Sequence, residues 1–269
     1  MNPAPDDPHD PGDFAGSGEW FRDAFRGRYL DLYAHRDAGE ATRLVDLVAR
    51  HAPVGPDVTV FDAPCGGGRH ARAFAARGCR VTAMDLSTDL LKAAAADRVP
   101  QPGAVAYHRA DIRALAVAFG RFDIVANLFS SLGYFDDDRE NLTVIDNLTA
   151  TARAGGLIVI DFMNADWVKA NLVAESTREL LDGGFAEERR AIVGSPGHER
   201  VEKRVTLRPP PDAPQPPVEI RESVRLFTPD ELAAALTAAG ARVLARYGDY
   251  DGGPPGPASP RAILVVERT

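Results

Sequence analysis

Between residues 58 and 163, short apolar runs alternate with segments whose apolar residues recur every third or fourth position. The runs "VTVFDAP", "RVTAMDLS", "AVAYHRAD", "FDIVANLF" and "GGLIVIDFM" read as strands. A helix follows the first run and ends at Gly78; Ser87 is placed to cap "TDLLKAAAADRV". The acidic turn "FDDDRE" opens a third helix with Leu142, Ile145 and Leu148 as its apolar face. Upstream, Phe21, Phe25, Tyr29, Leu32 and Tyr33 predict one amphipathic helix, weakened by Gly27. "EATRLVDLVARH", with Leu44, Leu47 and Val48 on one face, predicts a second that stops before Pro53.

The alternation breaks at residue 164. Four β-like runs follow, "RELLDGG", "EERRAIVG", "RVEKRVTLR" and "VEIRESVRLF", separated by Gly-Gly, a Ser-Pro-Gly turn and "PPPDAPQPP". Residues 164–227 therefore read as an inserted antiparallel cap. The rhythm resumes at "TPDELAAALTAAG", where Thr228, Pro229 and Glu231 form a capping box and Gly240 ends the helix. "ARVLARYGDYDG" and "PRAILVVER" supply two last strands. The expected fold is α/β, a doubly wound, mostly parallel sheet built from residues 19–163 and 228–269.

Composition narrows the function classes. The chain has 269 residues, 45% hydrophobic and 26% charged, enough for one large α/β domain with an elaboration. Residues 1–18 are acidic and rich in Pro and Gly, which predicts a disordered leader and excludes a typical secretory signal. No apolar run reaches membrane-spanning length. Cys65 and Cys79 form neither a CxxC pair nor a zinc-ligand spacing, so no metal is expected and a reducing cytoplasm is the default. A formal net charge of −8 without a basic stripe argues against nucleic acid as a partner. The expected partner is a small molecule, and the assembly allowed for is a homodimer.

Three consecutive glycines follow the first strand in "VFDAPCGGGRHARAF". Gly66, Gly68 and Ala71 fit G-x-G-x-x-A, and Asp85 ends the next strand, where an acid can bind a ribose. A dinucleotide and S-adenosylmethionine (SAM) both use such a turn. Asp62, four residues before Gly66, would repel a pyrophosphate and attract the ammonium and sulfonium of SAM. Asp111 follows the third strand, placed to accept from an adenine amino group beside Ile112. For each acid taken alone the alternative is an N-cap or a solvated loop residue, which explains their joint placement less well.

On these residues, with "ADI" and "FDIVANLFSSLGYF", the chain resembles the class I SAM-dependent methyltransferases, in particular bacterial small-molecule enzymes with a "D-x-P-C-G-x-G-R-H" loop and a "GDYDG...SPR" ending. The resemblance implies a seven-stranded sheet in the order 3-2-1-4-5-7-6 with the last strand antiparallel. It places Asp62, Ala63, Pro64, Gly66 and Gly68 at the methionine end of SAM, Asp85 and Leu86 at the ribose, and Asp111 and Ile112 around adenine. Asn127 and Leu128 fall under the transferable methyl. Tyr33 and Arg36, on one helical face, close the site, Arg36 by pairing with the SAM carboxylate or as a plain surface arginine.

The implied reaction is methyl transfer from SAM to a nitrogen or oxygen of a small molecule. It is an in-line displacement that needs positioning and exclusion of water more than a dedicated base. Tyr134, Asp161 and Glu222 are the candidate proton acceptors, each equally readable as a structural hydrogen bonder. Glu187, Glu188, Arg189, Arg190 and Glu222 would give the cap a mixed polar wall. Two readings compete: an NAD(P)-dependent oxidoreductase on the same sheet, and a protein that binds SAM without methylating.

Overall fold

The computed structural model describes residues 19–25, 29–32, 38–97, 102–115, 121–213 and 215–269. The leader, residues 1–18, lies outside them, as do Tyr33 and Arg36. The central strands are β1 (Thr59–Asp62), β2 (Arg80–Asp85), β3 (Ala104–Arg109), β4 (Phe122–Asn127) and β5 (Ala152–Met163), with β10 (Ala241–Tyr247) and β11 (Arg261–Arg268) from the C-terminal part. They form one sheet in the order β3-β2-β1-β4-β5-β11-β10, which is the expected order. β1 through β5 pair in parallel, and β11 runs antiparallel to both β5 and β10.

Alternation along the strands accounts for two apolar layers. Phe61, Val125, Ile158, Ile160 and Phe162 belong to one buried cluster, while Val60, Ile124, Ala126, Leu157 and Val159 belong to the other. Both sheet faces are thus covered, as a parallel sheet requires. The second cluster includes Leu44, Leu47 and Val48 of α3 (Ala38–Val48) and Phe74 of α4 (Arg69–Ala76). Ser87 caps α5 (Thr88–Ala96), its hydroxyl accepting from the Leu90 amide at 3.3 Å. The capping box of α8 (Pro229–Ala238) is complete: the Glu231 amide donates to the Thr228 hydroxyl and the Thr228 amide to the Glu231 carboxylate.

Residues 164–227 contribute a second, antiparallel sheet, β6 (Glu175–Glu179), β7 (Phe185–Val193), β8 (Arg200–Arg208) and β9 (Val218–Arg225), in sequential order. Its Ala186, Val205, Leu207, Ile220 and Val224 join the first cluster, which carries the cap over one end of the main sheet.

Four local expectations need correction. The first β-like run of the cap is shifted: "RELLDGG" is mostly turn, with Gly183 at φ 80° and the Leu180 amide donating to the Gly184 carbonyl at 2.8 Å, so β6 lies earlier. A helix that the periodicity did not predict, α7 (Ala165–Asn171), opens the insert, its Asp166 amide donating to the Asn164 side chain at 3.2 Å. The predicted N-terminal helix is interrupted at Phe25, where α1 (Phe21–Ala24) ends; the described residues of its second part are α2 (Tyr29–Leu32). In α6 (Asp138–Thr151) Leu142 is 43% exposed, and the buried stripe is Asn141, Val144, Ile145 and Leu148. Asn141 takes the inner position because its amide bridges the Phe135 backbone, donating to the carbonyl at 2.9 Å and accepting from the amide at 3.2 Å.

Candidate active site

Where β1 ends, the chain is tied to both neighbours. The Ala63 amide donates to the Ala126 carbonyl at 2.9 Å, and the Cys65 amide to the Met84 carbonyl at 2.8 Å. The two glycines of the G-x-G pair then play different parts. Gly66, at φ 53°, has nothing within 4 Å of where a Cβ would stand and borders an open cavity. Gly68, at φ 76°, faces the other way: a Cβ there would meet the Tyr107 hydroxyl at 2.6 Å and the Ala94 Cβ at 3.0 Å. Its expected contact with ligand is therefore replaced by close packing of loop on β3 and α5. Gly67 and Pro64 line the cavity, whereas Ala63 is buried behind it.

Asp85 holds this loop from β2. One of its oxygens accepts from the Gly66 amide at 2.8 Å, the other from the Ser87 amide at 2.8 Å, and the side chain reaches the cavity. Burial raises its pKa, the two amides opposing. Asp62 lies beneath the loop without lining the cavity; neither of its oxygens has a hydrogen-bond partner. Burial pushes its carboxyl up to about 7; a nearby Ala71 amide offsets part of this, and the Asp85 charge adds to it. Two close carboxylates under a glycine turn repel phosphate and favour a cation. An orphaned buried carboxylate and a glycine that opens onto free space fit the ammonium-bearing end of SAM. Leu86, Ile112 and Leu128 add apolar walls.

Asp111 also lines the cavity, but its carboxylate is taken by Arg113, whose Nη2 stands at 2.7 Å and which lowers its pKa. Arg113 goes on to Glu140 at 2.7 Å and packs over the Phe135 ring. The carboxylate expected at the adenine thus has a partner already, which sequence spacing did not foresee. Asn127 is another correction: fully buried, it braces the strand ends by donating to the Ala63 carbonyl at 2.9 Å and the Ser131 carbonyl at 3.2 Å. The cavity wall begins one residue later.

After Leu128 the chain makes two successive left-handed turns without glycine, Phe129 at φ 60° and Ser130 at φ 59°. Each costs about 1–2 kcal/mol in an L-residue. Both amides go to Asp161: Phe129 donates to its carboxylate at 2.9 Å and Ser130 to its carbonyl at 2.8 Å. The same carboxylate accepts from the Tyr250 hydroxyl at 2.9 Å and from Arg261 Nε at 2.7 Å. Asp161 is fully buried, saturated and absent from the cavity wall, so it is not a base. Tyr134 does line the wall, but burial raises its phenol above the ordinary range and keeps it neutral. Burial likewise raises the Cys65 thiol and holds the His70 imidazole neutral, with a pKa well below its ordinary value.

The far wall comes from the cap. Strand alternation turns Ser176 and Arg178 of β6, Glu188 and Arg190 of β7, Lys203 of β8 and Glu222 and Val224 of β9 toward the cavity. Glu188, 5% exposed, is gripped by Arg190, by Arg178 at 3.3 Å and by Lys203 at 3.5 Å. Glu222 sits opposite Lys203 in the β8–β9 register, and its charge reaches the Tyr134 phenol. Arg178 also donates to the Leu32 carbonyl of α2, joining cap to N-terminal segment. The expected wall is half right: Glu187 and Arg189 point outward, to Arg208 and Glu175. Arg178 and Lys203 were missed because only the register between strands puts them beside Glu188.

These walls enclose a cavity of about 880 Å³, room for a cofactor and a small acceptor together. Residues 60–156 match a family described as a methyltransferase domain. A dTDP-3-amino-3,6-dideoxy-alpha-D-glucopyranose N,N-dimethyltransferase of Streptomyces fradiae is 29% identical over 232 residues, covering 81% of this chain and 86% of that protein. The fold is similar to that of the CcbJ methyltransferase of Streptomyces caelestis, with TM-score 0.76 at 17% identity over 92% of this chain and 99% of that one. It is also similar to SAM-bound CalS10, an amino pentose methyltransferase of Micromonospora echinaspora, with TM-score 0.65 at 22% identity over 91% and 98%. CalS10 binds SAM on this fold, and the methyltransferase-domain match gives the nicotinamide alternative no support.

Proposed function

We propose that this SAM-dependent methyltransferase acts on an amino group of a polar, sugar-like small molecule, residues 19–163 and 228–269 holding the cofactor and residues 164–227 selecting the acceptor. The observation that carries the reading is the placement of Glu222, a cap carboxylate on the wall of the cavity that the Tyr134 phenol also lines. The cofactor supplies a methyl group on a sulfonium, already activated toward a nucleophile. The protein therefore has to present an unprotonated nucleophile and shut out water.

A hydroxyl acceptor needs a base stronger than a carboxylate such as Glu222, and the other candidates near this cavity suit that task poorly: Tyr134 is held neutral, Asp161 is locked, and His70 is buried and depressed. A neutral amine needs none. Glu222 can hold an amine by hydrogen bond and take the proton released as its nitrogen is alkylated. Arg178, Arg190 and Lys203, ranged around Glu188, suit the hydroxyls and anionic groups of a polar acceptor. The similarity to an amino-sugar N,N-dimethyltransferase, over 81% of this chain and 86% of that protein, supports the same class.

The test offers purified protein SAM with a dTDP-linked 3-amino-3,6-dideoxyglucose and with its 3-hydroxy counterpart, and reads products by mass spectrometry. Methylation of the amine alone is expected. Glu222→Gln should lower that turnover roughly 100-fold, the low end for a positioned proton acceptor, and leave SAM affinity unchanged. Methylation of the hydroxyl compound only, or equal loss of cofactor binding and turnover in Glu222→Gln, overturns the assignment.

A further inference from the structure

The "GDYDG" and "SPR" segments near the C-terminus stand far from the cofactor loop in sequence, yet both deliver a side chain to one buried carboxylate. Tyr250 and Arg261 converge on Asp161, which in turn takes the amides of Phe129 and Ser130. Asp161 lies on β5 just beyond Ile160, the last residue of that strand paired with β4. There β4 has ended and its chain must cross the strand ends. β4 lies between β1, which carries the cofactor loop, and β5, which leads into the cap. The crossing therefore falls midway between the two ends of the cavity.

The crossing is held in a conformation it would not keep unaided. Phe129 and Ser130 are both left-handed without being glycine, and each amide has its acceptor on Asp161. Arg261 also lies 5.8 Å from the Phe129 ring centroid, and Arg69, on the first turn after the glycine loop, lies 4.6 Å from it. The ring is thus flanked by cations from both sides of the site. Leu128, Phe129, Ser130 and Ser131 all line the cavity. Any relaxation of the turn moves the wall against which the acceptor rests.

We propose that Asp161 is a positioning residue: with Tyr250 and Arg261 it clamps the Phe129–Ser130 turn and so sets the distance between acceptor and cofactor. It touches neither. The C-terminal hairpin is the far end of this clamp, which accounts for the "GDYDG" and "SPR" segments more fully than a turn network alone. The inference rests on the reading of the chain as a methyltransferase and adds a determinant of its rate.

Asp161→Asn keeps the shape and removes the charge that Arg261 pairs with. It should expose the Phe129 amide to hydrogen exchange, the Ser130 amide keeping its acceptor on the residue 161 carbonyl, and lower kcat roughly 10- to 100-fold, the size expected of a small misplacement, while the SAM Kd stays unchanged. Ser130→Gly added to Asp161→Asn should recover much of kcat, because glycine takes a positive φ without a clamp; Ser130→Ala should not. Should Asp161→Asn fail to fold, Tyr250→Phe removes one hydrogen bond and should show the same pattern at smaller size. A protected Phe129 amide in the variant, parallel loss of SAM affinity and kcat, or equal rescue by glycine and alanine would each overturn the clamp. The amide readout needs no acceptor, so wild-type protein that methylates none of the offered amines sinks the acceptor assignment and leaves exchange to decide the clamp.

Discussion

At the sheet end of the cavity the ligand meets backbone: the Gly66–Gly67 turn, with Asp85 tied to the Gly66 and Ser87 amides and Asp62 partnerless beneath. Under the cap it meets side chains from every second residue of four strands, already paired with one another around Glu188. The first surface is shaped before any ligand arrives and its charge is uncompensated, which suits a ligand of constant shape and positive charge. The second is a set of paired charges gathered around Glu188 and carried on side chains rather than backbone. On the function proposed above, recognition of a fixed cofactor and of a variable acceptor would be separated within one cavity.

The hardest test of that separation is Asp85→Ala. The carboxylate is expected to accept from the ribose hydroxyls, and charge-assisted hydrogen bonds contribute about 1.5–3 kcal/mol each, so SAM affinity should fall roughly 10- to 100-fold. Because the same carboxylate also satisfies the Gly66 and Ser87 amides, a drop in melting temperature should accompany the loss. Calorimetry and thermal melts on one preparation check both. Unchanged SAM affinity would remove Asp85 from the cofactor site, and a cap variant with an equal loss would erase the contrast between the two ends.

Legibility in sequence follows the same division. The strands themselves, the caps at Ser87 and Thr228 and the positions of Gly66 and Asp85 depend on contiguous residues, and short-range periodicity and turn chemistry suffice to read them, whereas the strand order followed from the family resemblance. What could not be read depends on pairs far apart in the chain. Gly68 looks like Gly66 until Tyr107 is folded against it. Asp111 looks like a ligand until Arg113 turns back on it, and Asp161 looks like a base until Tyr250 and Arg261 arrive from the last hairpin. Leu142 and Asn141 exchange places because a backbone bridge to Phe135 outweighs a leucine's preference for the core.

A smaller effect, confined to the sheet end, comes from pH. The folded-state carboxyl of Asp62 titrates near 7, against about 3.9 for an unperturbed aspartate. Between those values the unfolded chain has lost its proton while the folded chain retains it, so the ligand-free protein loses stability as pH rises from about 4 to 7. A cationic ligand favours the ionised form. SAM should therefore bind several-fold more tightly at pH 8 than at pH 6, and Asp62→Asn should flatten that dependence. A pH-independent wild-type Kd would mean that Asp62 does not sense the cofactor.

The smallest effect is the most specific to the cap. Arg189 and Arg190 are neighbours in sequence, but the strand turns Arg190 to the cavity, onto Glu188, and Arg189 to solvent, where it meets Glu175 at 3.4 Å. Both members of that outer pair are more than half exposed, and such pairs contribute about 0–1 kcal/mol, screened further by salt. Arg189→Ala should leave stability within about 0.5 kcal/mol of wild type and leave kcat and KM for the acceptor unchanged. Arg190→Ala uncovers part of a buried carboxylate on the acceptor wall, so it should raise the acceptor KM and leave the SAM Kd where it was. Steady-state kinetics with a titrated acceptor separate the two. If Arg189→Ala raises KM as much as Arg190→Ala, the outward face of the cap takes part in acceptor binding and the register drawn for β7 does not describe the working enzyme.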